Sequence, residues 1–260
     1  CPICQRPALA IGKPVRLPES VIPKGSGKGP VSVVIKDTVG CPRYTGLYIK
    51  GVKIGPSPEW LQNRLKAIGI RPKNNIIDIT NHTLHELGQP IHAFDASKIN
   101  GGIIVRPAEK GEKIITLDTI ERKLEGFELL ICDHKKPLAL AGVFGGIDSG
   151  VSETTTDVFI ESAYFDPGII RKGAKTHGLN TDASFRYERG TDPDVTIFAL
   201  QRTVSLILEL AGGEIIGEAI DEYQNPILPH QFNFRPQKLR SFGGIELNDK
   251  EIERILLLLD

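Results

Sequence analysis

Five short runs of mostly branched apolar residues follow one another between Gly102 and Gly146, and they constrain the fold more than any other feature. The runs are IIVRP, KIITLD, IERKL, LLICD and LALAGVF, with Gly, Asp and Lys residues around them. Short runs bounded by turn-forming residues are typical of β-strands at close spacing. The segment therefore predicts a mostly antiparallel sheet.

Further strands and four helices are predicted around this sheet. The strands are expected at residues 31–36, 45–52, 157–162 and 214–223, and the helices at residues 58–69, 74–87, 166–178 and 193–211. Glycine and proline mark the helix ends, as with Gly88 and Pro90 after the second helix. The predicted fold class is α+β, with mostly antiparallel sheets and packed helices.

The first helix has a recognisable start. Ser57 is the expected N-cap and Pro58 the first helical residue, where the missing N–H of proline is not needed. We expect this helix to end near Gly69. The apolar residues predicted for its buried face are Trp60, Leu61, Leu65 and Ile68.

Composition divides the chain into three parts. Residues 1–30 are rich in Pro, Gly and Lys and are interpreted as a tail and linker, whereas residues 31–223 form the main module. Residues 224–260 are predicted to be a linker followed by a small unit of one strand and two helices. In its last helix, Asn248 and Glu251 resemble a capping box.

Overall composition excludes several classes of protein. The chain has 32 Lys plus Arg and 32 Asp plus Glu, so net charge gives no argument for nucleic-acid binding. The longest apolar runs, such as Ile255–Leu259, are far shorter than the roughly 20 residues of a membrane span. No signal peptide opens the sequence, and we expect a cytoplasmic protein. Because the chain begins at Cys1 and lacks Met, we expect an internal piece of a longer polypeptide.

The four cysteines leave two interpretations open. Cys1 and Cys4 have the spacing of a zinc or redox pair, but no second pair follows, and Cys41 and Cys132 stand alone. Unpaired thiols in a reducing compartment are the expectation, with a metal or redox role as the alternative.

Two other motifs match known sites only in part. Gly25–Gly29 resembles a phosphate loop, but Ile22 occupies the place of the first glycine, and no Ser or Thr follows the lysine; a flexible loop is expected. His82 and His85 are three residues apart, whereas zinc proteases space their histidines by four with Glu between them. No metal site is expected.

Four stretches are unusual in combination. They are NHTLHELGQPIHAFD (Asn81–Asp95), ALAGVFGGIDS (Ala139–Ser149), FIESAYFDP (Phe159–Pro167) and HGLNTDASFRYERG (His177–Gly190). The last of them is interpreted as a loop after a helix, in which small residues expose backbone N–H groups to a ligand. The glycines of the second would let a ligand approach the backbone closely. Glu161 lies in an apolar strand and must be paired or functional.

These four stretches, in this order, resemble the signature segments of the editing module in bacterial phenylalanyl-tRNA synthetase beta subunits. Asn63–Asn81 is similar to the run that precedes the module in the same family. The resemblance spans residues 31–223 and continues on both sides. Residues 1–30 look like the end of the upstream module, and residues 231–260 look like the first half of a small helical module.

The resemblance implies an activity and a set of site residues. In this family the editing pocket binds the tyrosyl end of misacylated tRNA(Phe), and water cleaves the ester. The residues implied for catalysis are His92, Glu161 and Thr181, and those implied for substrate binding are Asn81, Gly142, Gly145 and Ala183. Two neighbours depart from the family: His82 stands where Tyr is frequent, and Thr83 where Val is.

The physical chemistry of this assignment is coherent. A site shaped for Phe excludes Tyr only weakly, so a second site is required. Glu161 is expected to accept the tyrosyl hydroxyl in a charge-assisted hydrogen bond, which Phe cannot make. His92 is expected to orient the attacking water or the tRNA 3′ end, and the backbone around Thr181 to hold the ester. No side-chain nucleophile is assigned.

Structural interpretations of the same residues stay open. His92 is alternatively a buried histidine that bonds to backbone, and Glu161 an ion-pair partner of Arg186 or Arg189. The basic helix residues that either meet tRNA phosphate or face solvent are Arg171, Lys172 and Lys175.

Two alternative functions also stay open: a non-catalytic module for tRNA docking and subunit assembly, and a free-standing hydrolase of misacylated tRNA. By resemblance, the parent enzyme is an ATP-dependent ligase with an α2β2 arrangement, in which the alpha subunit makes the aminoacyl-adenylate. ATP and Mg²⁺ belong to that reaction, and no cofactor is expected in this chain. The implied partners are tRNA(Phe) and the alpha subunit.

Overall fold

The residues that the computed structural model describes are 17–18, 25–228 and 231–257. The backbone divides into two compact units, Glu19–Pro226 and a second one made of Cys1–Pro18 and Ile227–Asp260. The predicted features at Cys1 and Cys4 lie outside the described residues. No helix in the described ranges has the length and apolarity that crossing a membrane requires.

The described part of the first unit has eleven strands and five α-helices. The strands are β1 (Val33–Ile35), β2 (Arg43–Lys50), β3 (Ile91–Asp95), β4 (Ile103–Pro107), β5 (Lys113–Ile115), β6 (Glu121–Lys123), β7 (Leu129–Cys132), β8 (Pro137–Leu140), β9 (Phe144–Gly145), β10 (Asp157–Tyr164) and β11 (Glu214–Glu222). The helices are α1 (Glu59–Ala67), α2 (Asn75–Leu87), α3 (Pro167–Thr176), α4 (Asp182–Tyr187) and α5 (Val195–Leu210).

The strands form three sheets. A five-stranded sheet has the order β1-β4-β7-β8-β9, a four-stranded sheet the order β11-β2-β10-β3, and β5 pairs with β6. Every pairing is antiparallel except that of β1 with β4, which is parallel. The predicted α+β class with mostly antiparallel sheets is confirmed.

The four-stranded sheet is covered on both faces. Successive side chains of a strand point to opposite faces, and β10 shows the consequence. Val158 and Ile160 join the apolar cluster that contains α1, α2 and α5 residues, whereas Phe159 and Ala163 join the cluster of the five-stranded sheet. Glu161 shares the alternation of Phe159 and Ala163, so it faces the space between the two sheets.

The start of α1 differs from the prediction. Pro58, not Ser57, occupies the N-cap position, and it makes no side-chain capping bond. The Ser57 hydroxyl instead donates to the carboxylate of Asp78 on α2, at 2.5 Å. A tertiary hydrogen bond has thus replaced the expected local cap.

The buried face of α1 is narrower than predicted. Leu61 and Leu65 are fully buried, but Trp60 and Ile68 are 38% and 50% exposed. Trp60 lies against the edge of the His82 imidazole, with ring centroids 5.7 Å apart. Trp60 precedes the buried Leu61 by one residue, and Ile68 is the C-cap residue beyond the end of the helix.

Helix α2 agrees with its predicted bounds. The Asn74 side chain accepts a hydrogen bond from the backbone N–H of Ile77 at 2.9 Å, which caps the N-terminus. Gly88 ends the helix in the left-handed conformation, which glycine adopts without strain. This prediction is confirmed.

Three short elements are not predicted by the sequence patterns, namely β3, a 3₁₀ turn at Ala96–Lys98, and α4. The loop expected after Gly178 becomes helical at Asp182, so that part of the prediction is wrong. Thr181 accepts from the backbone N–H of Ser184, and the Ser184 hydroxyl accepts from the N–H of Thr181. This reciprocal capping nucleates a helix of only six residues.

The glycine-rich stretch Gly25–Gly29 packs against an irregular part of β11. The backbone N–H of Glu218 donates to the carbonyl of Gly27 at 2.9 Å. A Cβ on Gly217 would lie 2.2 Å from the nitrogen of Gly29. The stretch is a loop, as predicted, and its glycines permit backbone-to-backbone packing.

The second unit has two described helices, α6 (Pro236–Gly243) and α7 (Asp249–Leu257). No strand occurs in residues 231–257, so the strand predicted there is wrong within those residues. The side chain of Asn248 accepts from the backbone N–H of Glu251 at 2.9 Å, one half of the expected capping box. Residues 231–235 have no regular secondary structure.

Candidate functional site

A cavity of about 310 Å³ is lined by both larger sheets of the first unit and by α2 and α4. All residues that the resemblance implied for the site lie in its lining: His92, Glu161, Thr181, Asn81, Gly142, Gly145 and Ala183. They come from β3, β10, the α4 N-terminus, α2 and the β8–β9 connection. Residues far apart in sequence are therefore brought together by the packing of the two sheets.

Glu161 lies on the central strand β10, between Gly46 of β2 and His92 of β3 in the ladder register. Its side chain is only 4% exposed. Gly46 is required beside it, because the ring of Phe159 fills the space where a Cβ would stand, 2.3 Å from that position. The sheet thus presents Glu161 and His92 side by side on one face.

The carboxyl group of Glu161 is bonded to a buried tyrosine. The Tyr44 hydroxyl donates to Oε2 at 3.0 Å. Burial raises the pKa of Glu161 to about 8, against the opposing effect of the Tyr44 hydrogen bond. Glu161 is consequently a neutral carboxylic acid in most molecules at pH 7, rather than the carboxylate expected from the sequence.

The ion-pair interpretation of Glu161 is wrong. Arg186 donates to the backbone carbonyl of Asp182 at 2.8 Å and lies 3.1 Å from Nδ1 of His85. Arg189 donates to the carbonyl of Phe185 at 2.8 Å. Both guanidinium groups bond to α4 or to residues beside it, and not to the buried carboxyl.

His92 is a neutral histidine at the cavity wall. Burial lowers its pKa to about 4. Its ring meets the Phe94 ring edge-on, with centroids 4.4 Å apart. The Nε2 atom is buried and has no hydrogen-bond partner among the described residues, so no backbone group there satisfies this nitrogen. A buried nitrogen without a partner is costly unless a ligand or water satisfies it.

The Thr181 side chain fixes the start of α4 at the cavity. Its hydroxyl donates to the carbonyl of Val143 at 2.9 Å and accepts from the N–H of Ser184 at 3.0 Å. The side chain therefore ties the start of α4 to the β8–β9 connection. This tie places Ala183 in the cavity wall.

Two glycines shape the wall opposite α2. Gly142 has φ +65°, and a Cβ there would lie 3.0 Å from side-chain atoms of Phe165, Ile170 and Tyr187. A Cβ on Gly145 would lie 3.2 Å from the imidazole of His92. Side chains at these positions would close part of the cavity.

The sequence does not predict Tyr44, which bonds to Glu161 behind the cavity wall, or the lining residues Leu117 and Tyr187. Tyr187 donates to the carbonyl of Ala163 at 3.1 Å. Tyr44 precedes the predicted strand by one residue, and its alternation with Gly46 and Tyr48 is the signal that could have found it. Leu117, which follows β5, carries no such signal.

Neither histidine of α2 that resembled a metal ligand lies in a metal-binding group. Within the described ranges, no three His, Cys, Asp or Glu side chains could hold a metal ion together. His82 lies 3.6 Å from Glu86. Thr83, the second departure from the family pattern, accepts from the Thr203 hydroxyl of α5 at 3.1 Å. Both departures are absorbed by the contacts of α2 with its neighbours.

Comparison with known families gives a direct match. The model of the B3/4 domain matches residues 40–212, which is more than half of the 260-residue chain. The chain belongs to the B3/4 domain family. The matched residues contain the whole cavity lining.

Curated relatives of this B3/4 domain chain share one description, phenylalanine–tRNA ligase beta subunit. The Porphyromonas gingivalis protein is 48% identical over 248 residues, which covers 95% of this chain and 30% of that protein. The Bdellovibrio bacteriovorus protein is 51% identical over 220 residues, covering 83% and 27%. The chain thus spans less than a third of their length. The resemblance stated from the four stretches is confirmed.

A solved structure is also similar to the B3/4 domain chain. It is an N-terminal fragment of the phenylalanyl-tRNA synthetase beta-subunit from Pyrococcus horikoshii. The TM-score is 0.49 and the identity 19%, over 91% of this chain and 68% of that chain.

Proposed function

We propose that this B3/4 domain hydrolyses the ester of tyrosine wrongly attached to tRNA(Phe), as the editing part of a phenylalanyl-tRNA synthetase beta subunit. The observation that carries the proposal is the cavity in which Glu161 and the unpartnered Nε2 of His92 stand side by side. Buried polar groups that lack partners are costly in an empty apolar cavity, and a tyrosyl ester supplies those partners.

The tyrosyl side chain enters the cavity with its hydroxyl at Glu161. A volume of about 310 Å³ is within the size range of small-molecule sites. Phenylalanine lacks the hydroxyl and leaves one oxygen of the buried carboxyl without a partner. A site that hydrogen-bonds a substrate hydroxyl can reject the analogue that lacks it by large factors.

His92 acts on the ester rather than on the tyrosyl ring. Because it is neutral, its ring has one nitrogen that accepts and one that donates, and either a water or a terminal ribose hydroxyl can bond to Nε2. Water adds to the ester carbonyl carbon, the bond to the ribose oxygen breaks, and that oxygen takes up the proton. The backbone at the start of α4 holds the ester in place.

Attachment of phenylalanine to tRNA(Phe) is assigned to the longer protein of which this domain is a part. The curated relatives are named as beta subunits of a ligase, and we infer that the full polypeptide works with an alpha subunit to attach Phe to tRNA(Phe) using ATP and Mg²⁺. Within that arrangement, the B3/4 domain removes the wrong product and takes no part in forming the adenylate.

Deacylation of purified tyrosyl-tRNA(Phe) and phenylalanyl-tRNA(Phe) tests this function. Wild-type chain is expected to release tyrosine faster than phenylalanine, and Glu161→Ala and His92→Ala to lower tyrosine release at least about tenfold, as loss of a bond to a buried group implies. Glu86→Ala is the matched control, because Glu86 is ion-paired with Arg202 and does not line the cavity. Wild-type rates in both cavity variants would refute the proposal and favour a docking role.

A further inference from the structure

The two oxygens of the Glu161 carboxyl have different surroundings. Oε2 accepts the hydroxyl of Tyr44 at 3.0 Å. Glu161 also lines the cavity, so Oε1 is the oxygen left for a bound molecule. A neutral carboxyl group is asymmetric as well, because one oxygen is a carbonyl that accepts and the other carries the proton and donates.

The Tyr44 hydrogen bond determines which oxygen of the Glu161 carboxyl carries the proton. It is fully buried on β2, and Glu161 is its hydroxyl's partner among the described residues. A phenol with a single neighbouring acid donates to the carbonyl oxygen, which is the stronger acceptor. The carbonyl is therefore fixed at Oε2 and the O–H at Oε1.

Among the described residues, only the Tyr44 hydrogen bond favours the charged form of Glu161, and burial outweighs it. The titratable groups that face it are Tyr44, Cys41, His92 and Tyr187. Burial raises the pKa values of Cys41 and Tyr187 and lowers that of His92, so all of them are neutral at pH 7. The carboxyl therefore keeps its proton near neutral pH.

We propose that Tyr44 is a positioning residue that orients Glu161 so that its protonated Oε1 donates a hydrogen bond to the para-hydroxyl oxygen of a bound tyrosyl group. This inference rests on the proposed function and gives the specificity contact a direction. The tyrosyl oxygen accepts, whereas an ionised Glu161 would require it to donate. Ionisation of Glu161 above neutral pH removes the donor and reverses the bond, so that the tyrosyl hydroxyl donates to the carboxylate in a stronger, charge-assisted bond.

The Glu161→Gln variant distinguishes a hydrogen bond donated by residue 161 from one that residue 161 accepts. In Glu161→Gln, the amide oxygen takes the place of the carbonyl beside Tyr44, and the NH₂ group takes the place of the donor facing the cavity. This variant imitates the protonated acid and cannot ionise. Tyr44→Phe removes the positioning bond from the wild-type acid and from the amide alike.

The test measures the ratio of kcat/KM for tyrosyl- over phenylalanyl-tRNA(Phe) from pH 6 to pH 9. Alkaline ester hydrolysis affects both substrates and cancels in the ratio. Tyr48→Phe is the matched control, because Tyr48 lies on the same strand and face, donates to Asp157 at 2.6 Å and does not line the cavity.

A rise in the wild-type ratio above pH 8 is expected, because the carboxylate accepts the tyrosyl hydroxyl in a charge-assisted bond that phenylalanine cannot make. Glu161→Gln should keep the ratio within about threefold at pH 7 and hold it constant to pH 9, while Glu161→Ala lowers it about tenfold, the factor of one ordinary hydrogen bond. Tyr44→Phe should lower the ratio at pH 7 and shift its rise to higher pH, since a bond that stabilises the charged acid is lost. Tyr48→Phe should match wild type.

Two outcomes would overturn the inference. One is a Glu161→Gln variant as poor as Glu161→Ala at pH 7, and the other is a wild-type ratio that stays as constant to pH 9 as that of Glu161→Gln or falls. Calorimetric binding of free L-tyrosine and L-phenylalanine by the same variants distinguishes the two levels of the proposal. If tyrosine binds more tightly than phenylalanine as expected but no tyrosyl-tRNA is hydrolysed, only the proposed function is refuted. If the two amino acids bind with equal affinity at all pH values, the inference is refuted.

Discussion

Glu161 and His92, neighbours in the sheet, make the stability of the fold depend on pH in opposite ways. The pKa of Glu161 rises from 4.5 to about 8 on folding, so its contribution is present at low pH and is lost as pH rises towards 8. The pKa of His92 falls from 6.5 to about 4, so its contribution is present above pH 6.5 and is lost as pH falls towards 4. The two trends oppose each other between pH 4.5 and 6.5.

Above pH 6.5, only Glu161 of these two residues still makes the stability depend on pH. This gives a first prediction. The free energy of unfolding should fall by about 2 kcal/mol between pH 6.5 and 8, since a pKa unit is worth about 1.4 kcal/mol. Glu161→Gln should abolish this fall in urea titrations. Glu86→Gln, whose wild-type pKa is lowered to about 2, should keep it. A fall of equal size in Glu161→Gln would assign it to another group.

Gly217 is expected to tolerate no side chain. It has φ +82°, and a Cβ would meet the Gly29 nitrogen at 2.2 Å, whereas Gly212 has φ +71° with nothing within 4 Å of its Cβ position. Gly212→Ala should therefore cost about 1 kcal/mol for backbone strain alone. Gly217→Ala should cost at least about 3 kcal/mol, because overpacking adds to the strain. Equal losses in thermal unfolding would contradict the packing described for Gly25–Gly29.

At the scale of elements, α4 depends on its N-cap. Thr181→Ala removes the hydroxyl that bonds to Val143 and to Ser184, so we expect a loss of about 1–2 kcal/mol in unfolding free energy. Deacylation should fall with it, because the cavity wall at Ala183 moves. Thr181→Ser keeps the hydroxyl and should retain both stability and rate. A Thr181→Ala variant with full activity would show that α4 does not need this anchor.

The sequence predicts the long elements and the fold class well, because their signals are local. Helix α2 has Asn74 and Gly88 at its ends, and the short strands have turn residues between them. The parallel pairing of β1 with β4 has no such signal. It arises from the way the chain returns to the sheet edge, which residue patterns do not encode.

The short elements that build the cavity are the ones missed. A six-residue helix such as α4 is unstable alone, because the free energy needed to nucleate a helix exceeds the stabilisation from the few hydrogen bonds of one turn. It exists because Tyr187 is buried and bonded to the carbonyl of Ala163. Likewise β3 is a strand because β10 pairs with it. The seven site residues could be named only through the family resemblance, and Tyr44 was missed altogether.

At the scale of the whole molecule, the main core belongs to the first unit. Both large apolar clusters contain only residues of Glu19–Pro226, while Phe232 and Phe242 of the second unit are 79% and 92% exposed. We therefore expect a chain of residues 25–228 to unfold cooperatively with a Tm close to that of the full sequence. Calorimetry would measure this, and a loss of cooperative unfolding would show that the second unit is required.

The neutrality of Glu161 and His92 near pH 7 has a consequence for the effect of salt on the reaction. Salt screens charges but leaves bonds between neutral groups almost unchanged. Raising salt from about 50 to about 200 mM should therefore slow tyrosyl- and phenylalanyl-tRNA(Phe) deacylation by the same factor, set by phosphate contacts. The ratio of the two kcat/KM values should stay constant. Ionic strength should therefore change the binding of the RNA, whereas the selection of the amino acid should not depend on it.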